Sequence, residues 1–157
     1  MTSVQKLGGF MAALVLSLSS FSVAAQSVPA TEFQDQFEQP IALNAQTTWV
    51  LLSSDKASGK LVKDSLDALG LEDLEAKKGL YIADVSAMPS LITKMFALPK
   101  MKKYAFKMAV INDENQLQAW PREAEKVSAI QLNALEITSV EYFDSAEALQ
   151  AWIKQQF

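Results

Sequence analysis

Neither cysteine nor histidine occurs among the 157 residues of this chain. Without thiols there is no disulfide, no thiol–disulfide exchange and no thiolate metal site. Without imidazole there is no histidine ligand and no triad or dyad that uses histidine as base. Chemistry is left to carboxylates, Lys, Tyr, Ser and Thr. Positive charge is also scarce: 14 Lys and Arg against 18 Asp and Glu give a formal charge of −4. Such a chain lacks the wide basic footprint that phosphate backbones require, so nucleic acid is not an expected partner. Gly59-Lys60 does not complete a phosphate loop, because position 54 is Ser and Leu61 stands where Ser or Thr is needed. The turn Asn112-Asp113-Glu114-Asn115 lacks the glycine and distal glutamate of a calcium loop. No metal or cofactor is implied.

What is present begins with a lone Lys6, an apolar run from Leu7 to Leu18, and small residues ending in Val23-Ala24-Ala25. This is the layout of a secretory signal peptide over residues 1–25, with Gln26 as the mature N-terminus. The expectation is export, to the periplasm in a Gram-negative host, with no stable membrane insertion after cleavage. The alternative is an uncleaved anchor holding a structural domain at the membrane, against which stand the serines that break the run. Cleavage leaves 132 of the 157 residues and moves the charge from −4 to −5. That length suits one domain, read here as residues 32–157 after a tether at 26–31.

Along the domain, Glu32 to Leu43 alternates like a hairpin or lead-in strand, and Trp49 to Leu52 reads as a buried strand. Leu61, Val62, Leu66 and Leu69 recur at helical spacing, with Gly70 placed for a left-handed cap. Leu80 to Val85 is a second buried strand, expected to lie parallel to and beside the first. Pro89 opens a predicted helix through Leu98, with Leu91, Ile92, Met95 and Phe96 on its inner side and Pro99 ending it. Phe106 to Ile111 reads as a strand, Leu117 to Trp120 as a shorter apolar stretch, and Val127 to Leu132 with Ile137 to Phe143 as a hairpin. A last helix carries Ala148, Leu149, Trp152 and Ile153, with Asp144 as N-cap and Glu147 completing a capping box. Strand–helix–strand–helix–strand, then hairpin and helix, predicts a mixed sheet between helices.

This order, with the lead-in "FQDQFEQPIAL", resembles the peroxiredoxin and TlpA-like branch of the thioredoxin superfamily, including small exported YtfJ-type proteins. Phe33, Asp35, Pro40, Ile41 and Leu43 carry the lead-in pattern, with Glu38 where that pattern has Gly. "AVINDENQLQAWP" looks like the family's strand, Asp-rich turn and following strand, and "KVSAIQLNALEITSVEYF" like its closing hairpin. The resemblance implies a thioredoxin-like α/β fold, a three-layer α/β/α sandwich with a mixed central sheet. It also marks two departures. The Cys-x-x-Cys position falls near Ala57-Ser58-Gly59-Lys60, and the cis-proline position near Lys126-Val127, where the nearest proline is Pro121. A redox-inactive member is implied, serving as a binding module for an envelope protein or a small anion.

Candidate site residues follow from that corner. Ser53-Ser54-Asp55-Lys56 has Ser-x-x-Lys spacing, in which neutral Lys56 would activate a serine; a small hydrolase or transferase is the enzyme alternative. The bland reading is a polar bend in which Ser58 or Asp55 caps the next helix. Asp84, at the end of an apolar strand, is a candidate acid, base or ligand group, expected to converge with Tyr81 and Lys56. Ser58, Gly59 and Lys60 at a helix N-terminus suit an anion. Lys100, Lys102, Lys103 and Lys107, with Lys94, concentrate positive charge suited to an acidic partner, or else simply complement a helix end.

Overall fold

The computed structural model describes residues 26–157, so the predicted signal peptide lies outside the described residues. Five strands form one sheet in the order β5-β4-β3-β6-β7: β3 (Trp49–Ser53), β4 (Gly79–Asp84), β5 (Ala109–Ile111), β6 (Val127–Asn133) and β7 (Glu136–Phe143). Strands β3, β4 and β5 run parallel, β6 runs antiparallel to β3, and β7 runs antiparallel to β6. As expected, β3 and β4 are adjacent and parallel, with Trp49 opposite Gly79 and Ser53 opposite Ala83, and every residue of both is buried. A separate hairpin, β1 (Thr31–Gln34) with β2 (Pro40–Leu43), supplies the lead-in.

The period of two along a strand sorts these residues into two cores. Trp49, Leu51, Tyr81 and Ala83 pack under α1 (Lys56–Ala68) and α4 (Ala146–Lys154), with Val62, Leu66, Leu149, Trp152 and Ile153 from the helices. Val50, Leu52, Leu80 and Ile82 face the other way, against Val28, Phe33 and Leu43 of the lead-in and Leu117 and Trp120. One contact leaves no latitude: a Cβ on Gly79 would stand 2.2 Å from two atoms of the Trp49 ring. That ring donates from Nε1 to the Lys77 carbonyl at 2.9 Å and meets Trp152 edge-on. The stretch read as a tether is tied to the sheet edge: Ser27 bridges Glu136, and Val28 is buried.

Local signals explain several boundaries. Helix α1 starts at Lys56, five residues before the first periodic apolar position, Leu61, because Asp55 caps it; it ends in a Schellman motif, with Gly70 at φ 63° and Leu71 N–H donating to the Leu66 carbonyl. Glu38, at the glycine position of the lead-in, has φ 61°. Its turn is held by the Asp35 carboxylate, which accepts from the amides of Phe37 and Gln39. Ala134 and Leu135 both have positive φ, as a two-residue hairpin loop requires, and Leu135 keeps its apolar side chain packed on the second core.

Five expectations are corrected. The helix after Pro89 does not end at Pro99: α2 (Ser90–Ile92), a π-helical turn over Thr93–Ala97 and α3 (Leu98–Met101) follow one another. The wider turn, in which Leu98 N–H reaches back to Thr93 O, carries the helix past a residue that has no N–H to give. Its apolar stripe faces outward: Leu91, Ile92, Met95 and Phe96 are exposed, and the inward positions are Thr93, Ala97 and Met101 at spacing four. Strand β5 is shorter than Phe106 to Ile111 because Gln36 replaces a neighbouring strand there, donating to Phe106 O and accepting from Met108 N. The stretch expected to follow the Asp-rich turn as a strand is instead a 3-10 helix, Glu114–Leu117, and a loop. Finally, α4 is capped by Ser145, not Asp144, with no side-chain cap bond; the later start puts Glu147 one position short of capping-box spacing.

Candidate functional site

The corner at the C-terminal ends of β3 and β4 is built from hydroxyls and carboxylates. Ser53 and Tyr81, diagonal neighbours on adjacent strands and on the α1 face, share a buried hydrogen bond of 2.7 Å between their hydroxyls. Burial pushes the Tyr81 phenol far above its ordinary range, so it stays protonated. A Cβ on Gly59 would sit 3.8 Å from Ser53 Oγ and 3.9 Å from Tyr81 Oη, so α1 lies directly over this pair.

Above it, Asp55 ties three pieces of chain together. Its Oδ1 accepts from Ser58 N at 2.8 Å and Ser58 Oγ at 2.7 Å, while Oδ2 accepts from Glu125 N at 2.6 Å. Ser58 completes a capping box. Burial pushes the Asp55 carboxyl up, but the bonds from Ser58, Glu125 and Ala57 outweigh it and hold the group below its ordinary value. The Glu125 loop, residues 121–126, ends at Lys126-Val127, near which the resemblance puts a cis-proline; no peptide bond among the described residues is cis.

Asp84 lies three residues beyond Tyr81, and so on the opposite face of the sheet. There its Oδ2 accepts from Arg122 Nη1 at 2.6 Å and its Oδ1 from Ser86 N at 3.0 Å, and Arg122 also reaches the Leu117 carbonyl. Burial pushes the Asp84 carboxyl up, yet Ser86 and Arg122 outweigh it and leave the group below its ordinary value. Tyr81 and Asp84 therefore do not converge, and Lys56 is exposed on the first turn of α1. Ser53 is turned toward Tyr81 with no hydrogen bond to Lys56, while Ser54 contributes its amide, which donates to Ser58 Oγ. Lys60 pairs with Asp64 along the exposed side of α1.

The remaining candidate lysines divide between two places. Lys94, Lys100, Lys102 and Lys103 belong to the π and α3 turns and the residues just after them. Lys107 lines a cleft of about 440 Å³ with Thr47, Asp73, Lys78 and Gly79, at the N-terminal ends of the strands and so at the far end from Ser58, Gly59 and Lys60. Arg122, the single arginine of the chain, is the functional-corner residue that the sequence reading passed over. Its one sequence signal is being the chain's single guanidinium, a group suited to a strand-end carboxylate; nothing local places it beside Asp84, 38 residues earlier.

Mixed sheet, lead-in and corner together define a thioredoxin-like fold. Solved structures similar to this chain carry that fold. One is a thiol:disulfide interchange protein DsbE from Chlorobium tepidum, with TM-score 0.57, 10% identity, and coverage of 84% of this chain and 96% of that one. A peroxiredoxin-like protein from Aquifex aeolicus has TM-score 0.53 and 9% identity, covering 85% and 86%. A SCO1/SenC family lipoprotein from Bacillus anthracis has TM-score 0.51 and 7% identity, covering 85% and 96%. No family model matches the chain. No curated protein matches it either. Since the chain has no cysteine, its version of the fold has no thiol–disulfide couple. Among the described residues no helix is long and apolar enough to cross a membrane.

Proposed function

We propose that this chain is a redox-inactive, non-catalytic binding module of the cell envelope, exported by cleavage after Ala25, whose rim around Asp55 to Lys60 and loop 121–126 holds a protein partner. The observation that carries the reading is the Asp55 carboxylate at the N-terminus of α1, bonded to both Ser58 and Glu125 N. A free helix N-terminus attracts an anion; here the chain supplies its own, which favours a protein over a small anion as the bound species. The same bonds join α1 to the loop before β6, so the rim is pre-organised, and a pre-organised surface loses little freedom on binding. Export draws support from the N-terminal pattern and from the likeness to a SCO1/SenC family lipoprotein.

Affinity capture from envelope extract tests this, using the natural protein and a Lys56→Glu/Lys60→Glu variant, each with and without reductant. The expected result is a reproducible partner that survives reductant and is lost with charge reversal. A partner list unchanged by the variant removes the rim from the function, and an empty list for the natural protein contradicts the binding reading. Mass spectrometry of the recovered protein is expected to show Gln26 at its N-terminus.

A further inference from the structure

The described residues expose seven large hydrophobic side chains, and five of them fall between Met88 and Phe96. Leu91 is 66% exposed, Phe96 63% and Met95 58%, with Ile92 and Met88 beside them. From Ser90 to Ala97 only Thr93 is buried, so this helical segment rests on the fold by a narrow strip and turns an apolar ridge outward. Charge is segregated onto the same stretch. The 28 residues from Val85 to Asn112 hold five lysines and no Asp or Glu, in a chain whose overall charge is −4.

We propose that this ridge, Met88 to Lys103, docks the protein on the surface of an anionic lipid bilayer. Leu, Ile, Met and Phe side chains enter the headgroup–acyl boundary while Lys94, Lys100, Lys102 and Lys103 stay among the lipid phosphates, the arrangement of an interfacial amphipathic helix. A second copy of this chain fits the ridge less well, because a two-fold pairing sets its lysines against the same lysines of the copy. A protein groove is not complemented by polar groups either: between Met88 and Phe96 the polar side chains are Ser90, Thr93 and Lys94, and Thr93 is buried. The docking is shallow. Pro99 and the π turn leave helix carbonyls outside the regular ladder, and these need water or headgroups, which the hydrocarbon core does not provide. This surface is distinct from the rim, and either can fail without the other.

Vesicle flotation tests the proposal, with protein recovered after expression of the full chain and its N-terminus determined, on phosphatidylglycerol–phosphatidylethanolamine and on phosphatidylcholine vesicles. The natural protein is expected to float with anionic vesicles at least tenfold better than with neutral ones, and to lose that binding between low and 0.5 M salt, about where the Debye length shrinks to a few ångströms. Each lysine near an anionic surface contributes about fivefold. Lys94→Gln/Lys100→Gln/Lys102→Gln/Lys103→Gln is therefore expected to lower partitioning at least tenfold, and Leu91→Ser/Phe96→Ser by a similar factor, with both variants keeping the thermal midpoint of the natural protein. Failure to bind anionic vesicles, binding indifferent to both variants, or a concentration-dependent dimer abolished by Leu91→Ser/Phe96→Ser would each overturn it.

Discussion

Replacing Asp55 removes one carboxylate from three structural elements at once, and the cost can be worked out. As N-cap it accepts the Ser58 amide, and loss of such a cap costs about 1 kcal/mol. Its other oxygen accepts from the Glu125 amide, a charge-assisted bond whose exposed setting lets water replace part of it, for about another 1 kcal/mol. Asp55→Ala is thus expected to lose about 2 kcal/mol, or about 1 M in urea midpoint for a domain of this size. Asp55→Asn separates cap from charge, since asparagine caps nearly as well and still offers an oxygen to Glu125. The folded carboxyl sits below its ordinary value of 3.8. The unfolded chain therefore takes up protons first on acidification, so stability from Asp55 is present above about pH 4 and is lost as pH falls through the folded value. Urea unfolding at pH 7 and at pH 3, followed by tryptophan fluorescence, should show the natural protein ahead of Asp55→Asn at pH 7 and the gap closing at pH 3. An Asp55→Ala variant within about 0.3 kcal/mol of the natural protein, below what any lost cap costs, would refute the reasoning.

Three further outcomes follow from single contacts. Gly79→Ala places a methyl inside a tryptophan ring held by its own hydrogen bond and by Trp152, so a loss of about 3 kcal/mol or failure to fold is expected, read by thermal melting. Glu38→Gly relieves a left-handed backbone and should raise stability by about 1 kcal/mol, visible as a higher urea midpoint. Arg122→Met strips a partner from the buried Asp84 carboxylate and should cost about 2 kcal/mol at pH 7, discounted for the partial exposure of the arginine. Because folded Asp84 sits below its ordinary value, that cost should shrink as pH falls below about 4, which pH-dependent unfolding would check.

Much of the fold was legible because its core elements obey simple periods. Trp49 to Leu52 and Leu80 to Val85 are apolar runs of strand length, and Gly70 marks a helix end by the one backbone conformation glycine favours. The ridge at Leu91 to Phe96 shows the limit of the method. A helical stripe of apolar residues says that one face wants to leave water, but not what covers it; nothing in the spacing separates burial in the core from exposure to a partner. The corner was half legible. Asp55 and Ser58 are adjacent to the helix they cap and were visible as such. Glu125 reaches Asp55 from 70 residues away in the chain and Arg122 reaches Asp84 from 38, and no local pattern carries a contact of that separation.

A thioredoxin-like corner without thiols is not left empty, and the way it is filled bears on what it is suited to do. A reactive thiol needs access, a lowered pKa and room for a mixed disulfide. Here Ser53 and Tyr81 are spent on each other in a buried, neutral pair, and Asp55 is spent on Ser58 and Glu125. Asp84 is neutralised by Arg122 on the far face of the sheet. Each polar group that a mechanism would need free is instead a tie between elements, and each tie lowers the freedom of the rim. A surface made rigid this way has gained shape at the expense of reactivity, which supports recognition over turnover. The basic apolar ridge carries one comparable tie, from the Gln36 side chain to the Met101 carbonyl. On the two proposals made above, the rim serves a protein partner and the ridge a lipid interface that has no fixed shape to match.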